Sequence, residues 1–221
     1  MSIQIIMPVL NGGKYVSEAI DSILAQTRTD WELYIMDGGS TDNSLDIVSN
    51  VKDNRIFWRQ DKLNFSDRFN LASTYSKSEY ITYLASDDKF YPKFLEENVR
   101  AMDGDVDFVY NPYITCRDNI IATHNHWEYA PDLLIRAYYM GVFWLFKRSI
   151  FEEVNGTRDI PAFDYDLCLR MEEAGCKFKY LNKHLGWYRL HADSDTGKHD
   201  FKWLQELGET ARNEAKKRRE K

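Results

Sequence analysis

The sequence predicts an α/β fold, a single domain with a mostly parallel central sheet and helices on both faces. Three observations carry this expectation. Short apolar runs of strand length alternate with amphipathic helical patterns through the first half of the 221 residues. Strand–helix alternation calls for right-handed crossovers, which set parallel strands side by side. The length suits one domain with a substantial core, and 43% hydrophobic against 29% charged residues is an ordinary globular balance.

Each element follows from local pattern. Ile3–Pro8 reads as a buried strand, and Val16, Ala19, Ile20, Ile23 and Leu24 recur on one helical face. Trp31–Met36 is a second strand, and Leu45–Val51 a second helix opened by the capping run Ser40-Thr41-Asp42. Ile56–Arg59, Phe69–Tyr75 and Tyr80–Ala85 continue as strand, helix and strand. Beyond these, Pro92–Met102 is helical, and Asp107–Tyr110, Asn119–Thr123 and Val142–Phe146 are short strands. Asp164–Ala174 is a helix stopped by Gly175. Lys177–Leu181 and Leu185–Arg189 close the sheet region. From Asp200 onward, Phe201, Leu204, Leu207 and Ala211 share one face of a last helix, which ends in the basic run Lys216–Lys221.

Composition excludes some classes. A net charge of −6 argues against a nucleic-acid binder built on a basic face. Cys116, Cys168 and Cys176 form no CxxC pair and read as free thiols of a reducing compartment. The chain enters directly into a strand, and its longest apolar run, Ala137–Phe146, is about half a bilayer span. A soluble cytoplasmic protein is the expectation. The basic end is expected to be a solvated helix terminus, or at most a peripheral contact with an anionic membrane surface.

In an open sheet of this kind, ligands bind beyond the carboxyl ends of the strands. The loops there carry Asp37, Asp61 and the pair Asp87-Asp88. Adjacent carboxylates repel unless a positive charge lies near them, and a hard divalent cation supplies one while leaving positions for phosphate oxygens. A polar turn capping the next helix is the alternative. Asp37 opens Asp37-Gly38-Gly39-Ser40-Thr41-Asp42, whose glycines allow a ligand close to the backbone. Gly12-Gly13-Lys14 lacks the other residues of a phosphate loop, and no GxGxxG follows a strand. His124-Asn125-His126 reads as a polar loop rather than a metal site. The late aromatics Trp127, Tyr138, Tyr139, Phe143 and Trp144 suit core packing first and stacking on sugars second.

Taken in order, Pro8-Val9-Leu10-Asn11, Asp37–Asp42 and Ser86-Asp87-Asp88 resemble the signatures of family 2 glycosyltransferases, which have the GT-A fold. Asp164-Tyr165-Asp166-Leu167 with Leu169-Arg170, and Tyr188-Arg189 with His191 and Ser194, are similar to that family's acceptor-side helix and closing segment. The resemblance implies an inverting transfer of sugar from a nucleotide-diphosphate donor, UDP-sugars favoured, to a hydroxyl of a glycan, lipid-linked or protein-linked acceptor, in glycan or polysaccharide synthesis. It implies that Pro8, Val9 and Asn11 line the base, that Asp37 binds its edge, that Asp87 reaches the ribose, and that Asp67 and Arg68 face the donor. It further implies Asp88 and His191 at a Mn²⁺ or Mg²⁺ ion, and Asp164 as catalytic base. Residues 1–104 would then be a nucleotide-binding half, 105–198 an acceptor-side half, and 199–221 a C-terminal helix and tail, within one domain spanning 1–221.

Two departures bear on this reading. Ser86 stands where the family's metal motif often has a third acid, and Phe163 stands where Glu often precedes the base, which makes Asp166 a rival to Asp164. Helical spacing favours Asp164, because Asp166 points well away from it. The alternatives are a nucleotidyltransferase, for which Asn11–Lys14 offers only one lysine, and a non-catalytic sugar-nucleotide or glycan-binding module.

Overall fold

The computed structural model describes residues 2–117, 120–198 and 201–220. Its strands are β1 (Ile3–Val9), β2 (Trp31–Asp37), β3 (Ile56–Gln60), β4 (Tyr80–Tyr83), β5 (Lys89–Phe90), β6 (Phe108–Tyr110), β7 (Tyr113–Arg117), β8 (Ile120–His124), β9 (Trp144–Lys147), β10 (Phe178–Tyr180) and β11 (Gly186–Leu190). Its helices are α1 (Val16–Leu24), α2 (Ser44–Ser49), α3 (Phe65–Ser73), α4 (Phe94–Ala101), α5 (Pro131–Leu134), α6 (Arg148–Glu153), α7 (Phe163–Glu173), α8 (Asp195–Lys198) and α9 (Phe201–Arg219).

Seven strands form the main sheet in the order β10-β6-β9-β4-β1-β2-β3. Only β9 runs antiparallel to its neighbours, β4 and β6; the other pairings are parallel. The expected α/β architecture is therefore present, and the sheet runs through both proposed halves of the chain. β1 lies inside the sheet and alternates its side chains between two cores. Ile3, Ile5 and Met7 pack with α1 and α4 residues such as Ile20 and Phe94, while Ile6 joins Phe69, Trp144 and Tyr165 on the other face. Gln4 is the polar member of this strand and is fully buried. It is satisfied by donating to Ala72 O at 2.6 Å and accepting from Arg148 Nη2 at 2.7 Å, which ties α3 and α6 to the sheet.

Two expectations need correction. The third helix begins at Phe65, four residues earlier than the apolar spacing indicates, because Asn64 caps it: its Oδ1 accepts from Asp67 N at 2.8 Å. The strand expected at Leu185–Arg189 does not close the main sheet. As β11 it belongs to a second, four-stranded sheet, β5-β11-β7-β8, pairing antiparallel with β5 and parallel with β7. Gly186 lets β11 approach the core there, since a Cβ would lie 2.3 Å from the Phe143 ring. Asn119 and Asp200 lie outside the described residues, as do the side chains of Phe201 and Leu204.

The last helix is docked. Ala211 and Ala215 are fully buried, and Arg218 bridges to Glu173 of α7 at 2.6 Å. Arg219 pairs with Glu172. The basic run is thus partly committed to α7 and is not wholly a solvated end. Among the described residues, no helix is long and apolar enough to cross a membrane.

Candidate active site

The loop after β2 is built around Asp37, which is 2% exposed. Its Oδ1 accepts from Gly39 N and Ser40 N at 2.9 Å and from Gln60 Nε2 at 3.0 Å, and its Oδ2 accepts from the Ser40 hydroxyl. Burial would raise its pKa, but these hydrogen bonds outweigh it and hold the carboxyl below its ordinary value. Asn11, in the left-handed region at φ 52°, clamps the loop after β1 onto this turn. Its N–H donates to Ser40 Oγ at 2.8 Å, and its Oδ1 accepts from Thr41 N at 2.9 Å. Val9 is buried, and its carbonyl accepts from Gly38 N at 2.8 Å and Arg68 Nη1 at 3.3 Å. Arg68 lies so close over Gly38 that a Cβ would meet its Nη1 at 1.9 Å. Val9, Asn11, Asp37 and Arg68 are therefore one assembled cluster, and Pro8 precedes it on β1 opposite Met36 of β2. Asp67 stands apart: it is exposed, and its carboxylate accepts from Asn64 Nδ2 at 2.9 Å within the first turn of α3.

A second assembly lies at the turn between β4 and β5. Asp88 is 2% exposed and accepts from Arg189 N at 2.9 Å. Burial, and next the charge of Asp87, push its carboxyl well above the ordinary range, against a smaller opposing effect from Arg189. The Arg189 guanidinium is committed to Asp87 O at 3.0 Å and Glu18 Oε2 at 2.9 Å, and it lies 4.5 Å over the Tyr15 ring. His191 Nε2 is 3.0 Å from Asp87 Oδ2, with its ring 4.7 Å from Tyr15. β11 is thereby stitched to the acidic turn. The motifs name His191, but Arg189, Tyr15 and Glu18 were given no role; their signal is spatial, since 171 positions separate Glu18 from Arg189.

Asp164 sits in the first turn of α7, entered through Ala162 at φ 53°. It is half-buried, and its Oδ1 accepts from Tyr165 N at 2.9 Å. Burial raises its pKa to about 6 despite that bond and a contribution from the Tyr138 hydroxyl. Asp166, by contrast, is fully buried beneath guanidinium groups: Arg158 pairs with it, Arg170 Nε lies at 2.8 Å and Arg218 Nη1 at 3.7 Å. Burial alone would raise its pKa, but its arginines hold it below the ordinary value. Asp166 fastens α7 to its neighbours, while Asp164 is half-buried beside the Tyr138 hydroxyl.

Asp164 and the Asp88 turn share aromatic neighbours. Burial first, and then the carboxylates of Asp88 and Asp164 together, raise the hydroxyls of Tyr83 and Tyr113, the latter to about 12. Beside Tyr113 opens a cleft of about 450 Å³ lined by Tyr113, Tyr138, Tyr188, Trp127 and both His124 and His126. The two histidines are not a simple polar loop: His124 ends β8, and burial, then His124, lowers the pKa of His126 to about 4.

Among the described residues, no group of three or more histidine, cysteine or acidic side chains is arranged to hold a metal ion. The chemistry at the turn still fits a hard divalent cation. Asp88 is a buried carboxylate beside a second one, and the Arg189 guanidinium near them is bonded to the Asp87 carbonyl and to Glu18 rather than to either carboxylate. Protein ligands this few suit an ion that draws its remaining ligands from substrate phosphates.

The open, mostly parallel sheet with acidic loops beyond its strand ends is the GT-A fold. The family described as glycosyl transferase family 2 matches residues 4–155, and the chain belongs to it. The chondroitin synthase of Pasteurella multocida (strain Pm70) is 31% identical over 202 residues, covering 87% of this chain and 21% of that one. The chain thus spans about a fifth of the length of that relative. The glycosyltransferase GlyG of Streptococcus pneumoniae is 27% identical over 240 residues, covering 94% of this chain and 77% of that one. Among solved structures, S. aureus TarS 1–349 in complex with UDP-GlcNAc superposes with a TM-score of 0.77 at 15% identity, covering 91% of this chain and 62% of that one. The mannosyltransferase PcManGT of Pyrobaculum calidifontis, in complex with GDP-Man and Mn²⁺, gives 0.68 at 17% identity over 87% of this chain and 58% of its own. At these identities the structures speak for the fold.

Proposed function

We propose that the protein moves a sugar from a nucleotide-diphosphate donor, a UDP-sugar above all, to an acceptor hydroxyl with inversion at the anomeric carbon, in cytoplasmic polysaccharide or glycan synthesis. One observation supports this most: the Asp88 and Asp164 carboxylates act on the same two tyrosines, Tyr83 and Tyr113, from different elements. In this reading Asp88 serves the leaving-group side and Asp164 the attacking side.

The nucleotide is placed against Pro8, Val9 and Asn11, with Asp37 and the N–H groups it orders at the base edge and Asp87 at the ribose. Arg68, buried beside Gly38, adds positive charge on the donor side. Asp67 would join the donor through the carboxylate that also accepts from Asn64 Nδ2. Asp88 and His191 would hold Mn²⁺ or Mg²⁺, which when bound supplies Lewis-acid stabilisation to the departing diphosphate. Asp164 takes the proton of the acceptor hydroxyl as that oxygen attacks, and a carboxyl with a pKa near 6 is well matched to this task at neutral pH. Asp166, ringed by arginines, holds the helix that presents it. Bound TarS and PcManGT carry UDP-GlcNAc and GDP-Man respectively, so both bases belong in the test. Calorimetry with UDP and GDP, each with and without Mn²⁺, is expected to give metal-dependent binding of UDP; binding of neither nucleotide would reject the proposal.

A further inference from the structure

We propose that Asn70 is a positioning residue: by clasping residues 154–158 to α3, it fixes α7 and its Asp164 relative to the donor-side Arg68. This rests on the glycosyl-transfer reading and concerns how its two substrates are aligned. The clasp joins parts of the chain far apart in sequence. Asn70 Nδ2 donates to Thr157 O at 2.8 Å, and Asn70 Oδ1 accepts from Thr157 N at 2.8 Å and from the Thr157 hydroxyl at 2.9 Å. One side chain thus meets the N–H, the carbonyl and the hydroxyl of a residue that is 4% exposed. One turn earlier on α3, Ser66 Oγ donates to Arg158 O at 2.7 Å. Asn155 and Gly156, in the left-handed region at φ 59° and 71°, turn the chain back onto Asn70, and a Cβ on Gly156 would lie 2.3 Å from Asn70 Oδ1.

The same loop grips α7 at both of its ends. Arg158 Nε donates to Asp166 Oδ2 at 3.0 Å, and Arg170 Nη1 donates to Val154 O at 2.5 Å. Asp166 and Asp164 share the first turn of α7, so a shift of the loop carries Asp164 with it. On its other side α3 is seated by Arg68, whose Nη1 donates to Val9 O at the end of β1. The two helices also touch directly through the Phe65 and Phe163 rings, 4.4 Å apart. Ring contact tolerates sliding, whereas hydrogen bonds are directional and set the register. Attack on a bound donor needs such a setting, because a misplacement of about 1 Å costs on the order of a hundredfold in rate.

The test measures nucleotide release from UDP-sugars, with acceptor and Mn²⁺, alongside UDP calorimetry and thermal melts. Asn70→Ala is expected to lower kcat at least about tenfold per folded molecule, with KM for the UDP-sugar and UDP affinity within about threefold of wild type. Thr157→Val keeps the shape but removes the hydroxyl's links to Asn70 and Ser66; it is expected to lower kcat as well, and Thr157→Ser to retain it. Combining Asn70→Ala with Arg158→Ala should cost little more kcat than the worse single change, because both break one linkage. A lowered melting temperature with kcat unchanged in Asn70→Ala would overturn the inference, as would a UDP affinity that falls as far as kcat, or additive losses in the double variant. Should Asn70→Ala not fold, equal kcat in Thr157→Val and Thr157→Ser would overturn it. A wild type that releases no nucleotide from any nucleotide sugar is a separate result, and it would overturn the glycosyl-transfer reading itself.

Discussion

Replacing Asp164 with asparagine is expected to make the protein more stable at neutral pH while removing its activity. The folded protein raises this carboxyl from its ordinary 3.8 to about 6, chiefly by burial. At about 1.4 kcal/mol per pH unit, holding it ionised costs up to about 3 kcal/mol, and partial solvent access reduces this to roughly 1–3. The sign follows from linkage. Below pH 3.8 the group is neutral in both states and costs nothing. Between 3.8 and about 6 the unfolded chain ionises first, so stability falls as pH rises, and above about 6 the full cost is present. Asparagine never carries that charge, and its Oδ1 can still accept from Tyr165 N. Urea denaturation of wild type and Asp164→Asn at pH 4 and pH 8 measures the difference. The mutant should gain about 1–3 kcal/mol at pH 8 and little at pH 4, a shift of about 2–4 °C in Tm per kcal/mol for a chain of this size. Equal stability at both values, or a mutant weaker at pH 8, would refute the placement of Asp164 in a desolvated site.

Three further outcomes follow from the geometry. Asp37→Ala frees Gly39 N, Ser40 N and Gln60 Nε2, and calorimetry should show UDP binding weakened by about 1–3 kcal/mol. Asp88→Ala should abolish the metal-dependent part of nucleotide binding with the circular dichroism spectrum unchanged; equal affinity would remove Asp88 from the metal's surroundings. Arg158→Ala leaves fully buried Asp166 with Arg170 and the more distant Arg218; because Arg158 is itself partly exposed, urea denaturation should record a loss of about 1–3 kcal/mol.

The sheet and its acidic strand ends were legible because they depend on local pattern. β1 and β2 are nearly continuous apolar runs, and Asp37 and Asp87-Asp88 stand at or just past strand ends, where open sheets bind ligands. The second sheet was legible only in part: strands were expected where β8 and β11 lie, but β5 and β7 were not, and nothing in the sequence separated β11 from the main sheet. β5 has two residues, too few to show the alternation that marks a half-buried strand. Spacing along α7 separated Asp164 from Asp166, but the arginines that enclose Asp166 come from three places, Arg158, Arg170 and Arg218, and only folding brings them together. The same holds for Arg189, whose contacts with Glu18 and Asp87 span most of the chain.

Nucleotide release from UDP-sugars with Mn²⁺ or Mg²⁺, in the presence of an acceptor and compared between wild type, Asp164→Asn and Asp166→Asn, tests the central claim most directly. The account predicts metal-dependent release of UDP by the wild type. It predicts at least about a hundredfold slower release in Asp164→Asn, the lower range for a lost general base, with UDP affinity retained. Asp166→Asn should lose far less of its rate. A wild type that releases no UDP with either metal, or an Asp164→Asn that turns over as fast as the wild type, would contradict it.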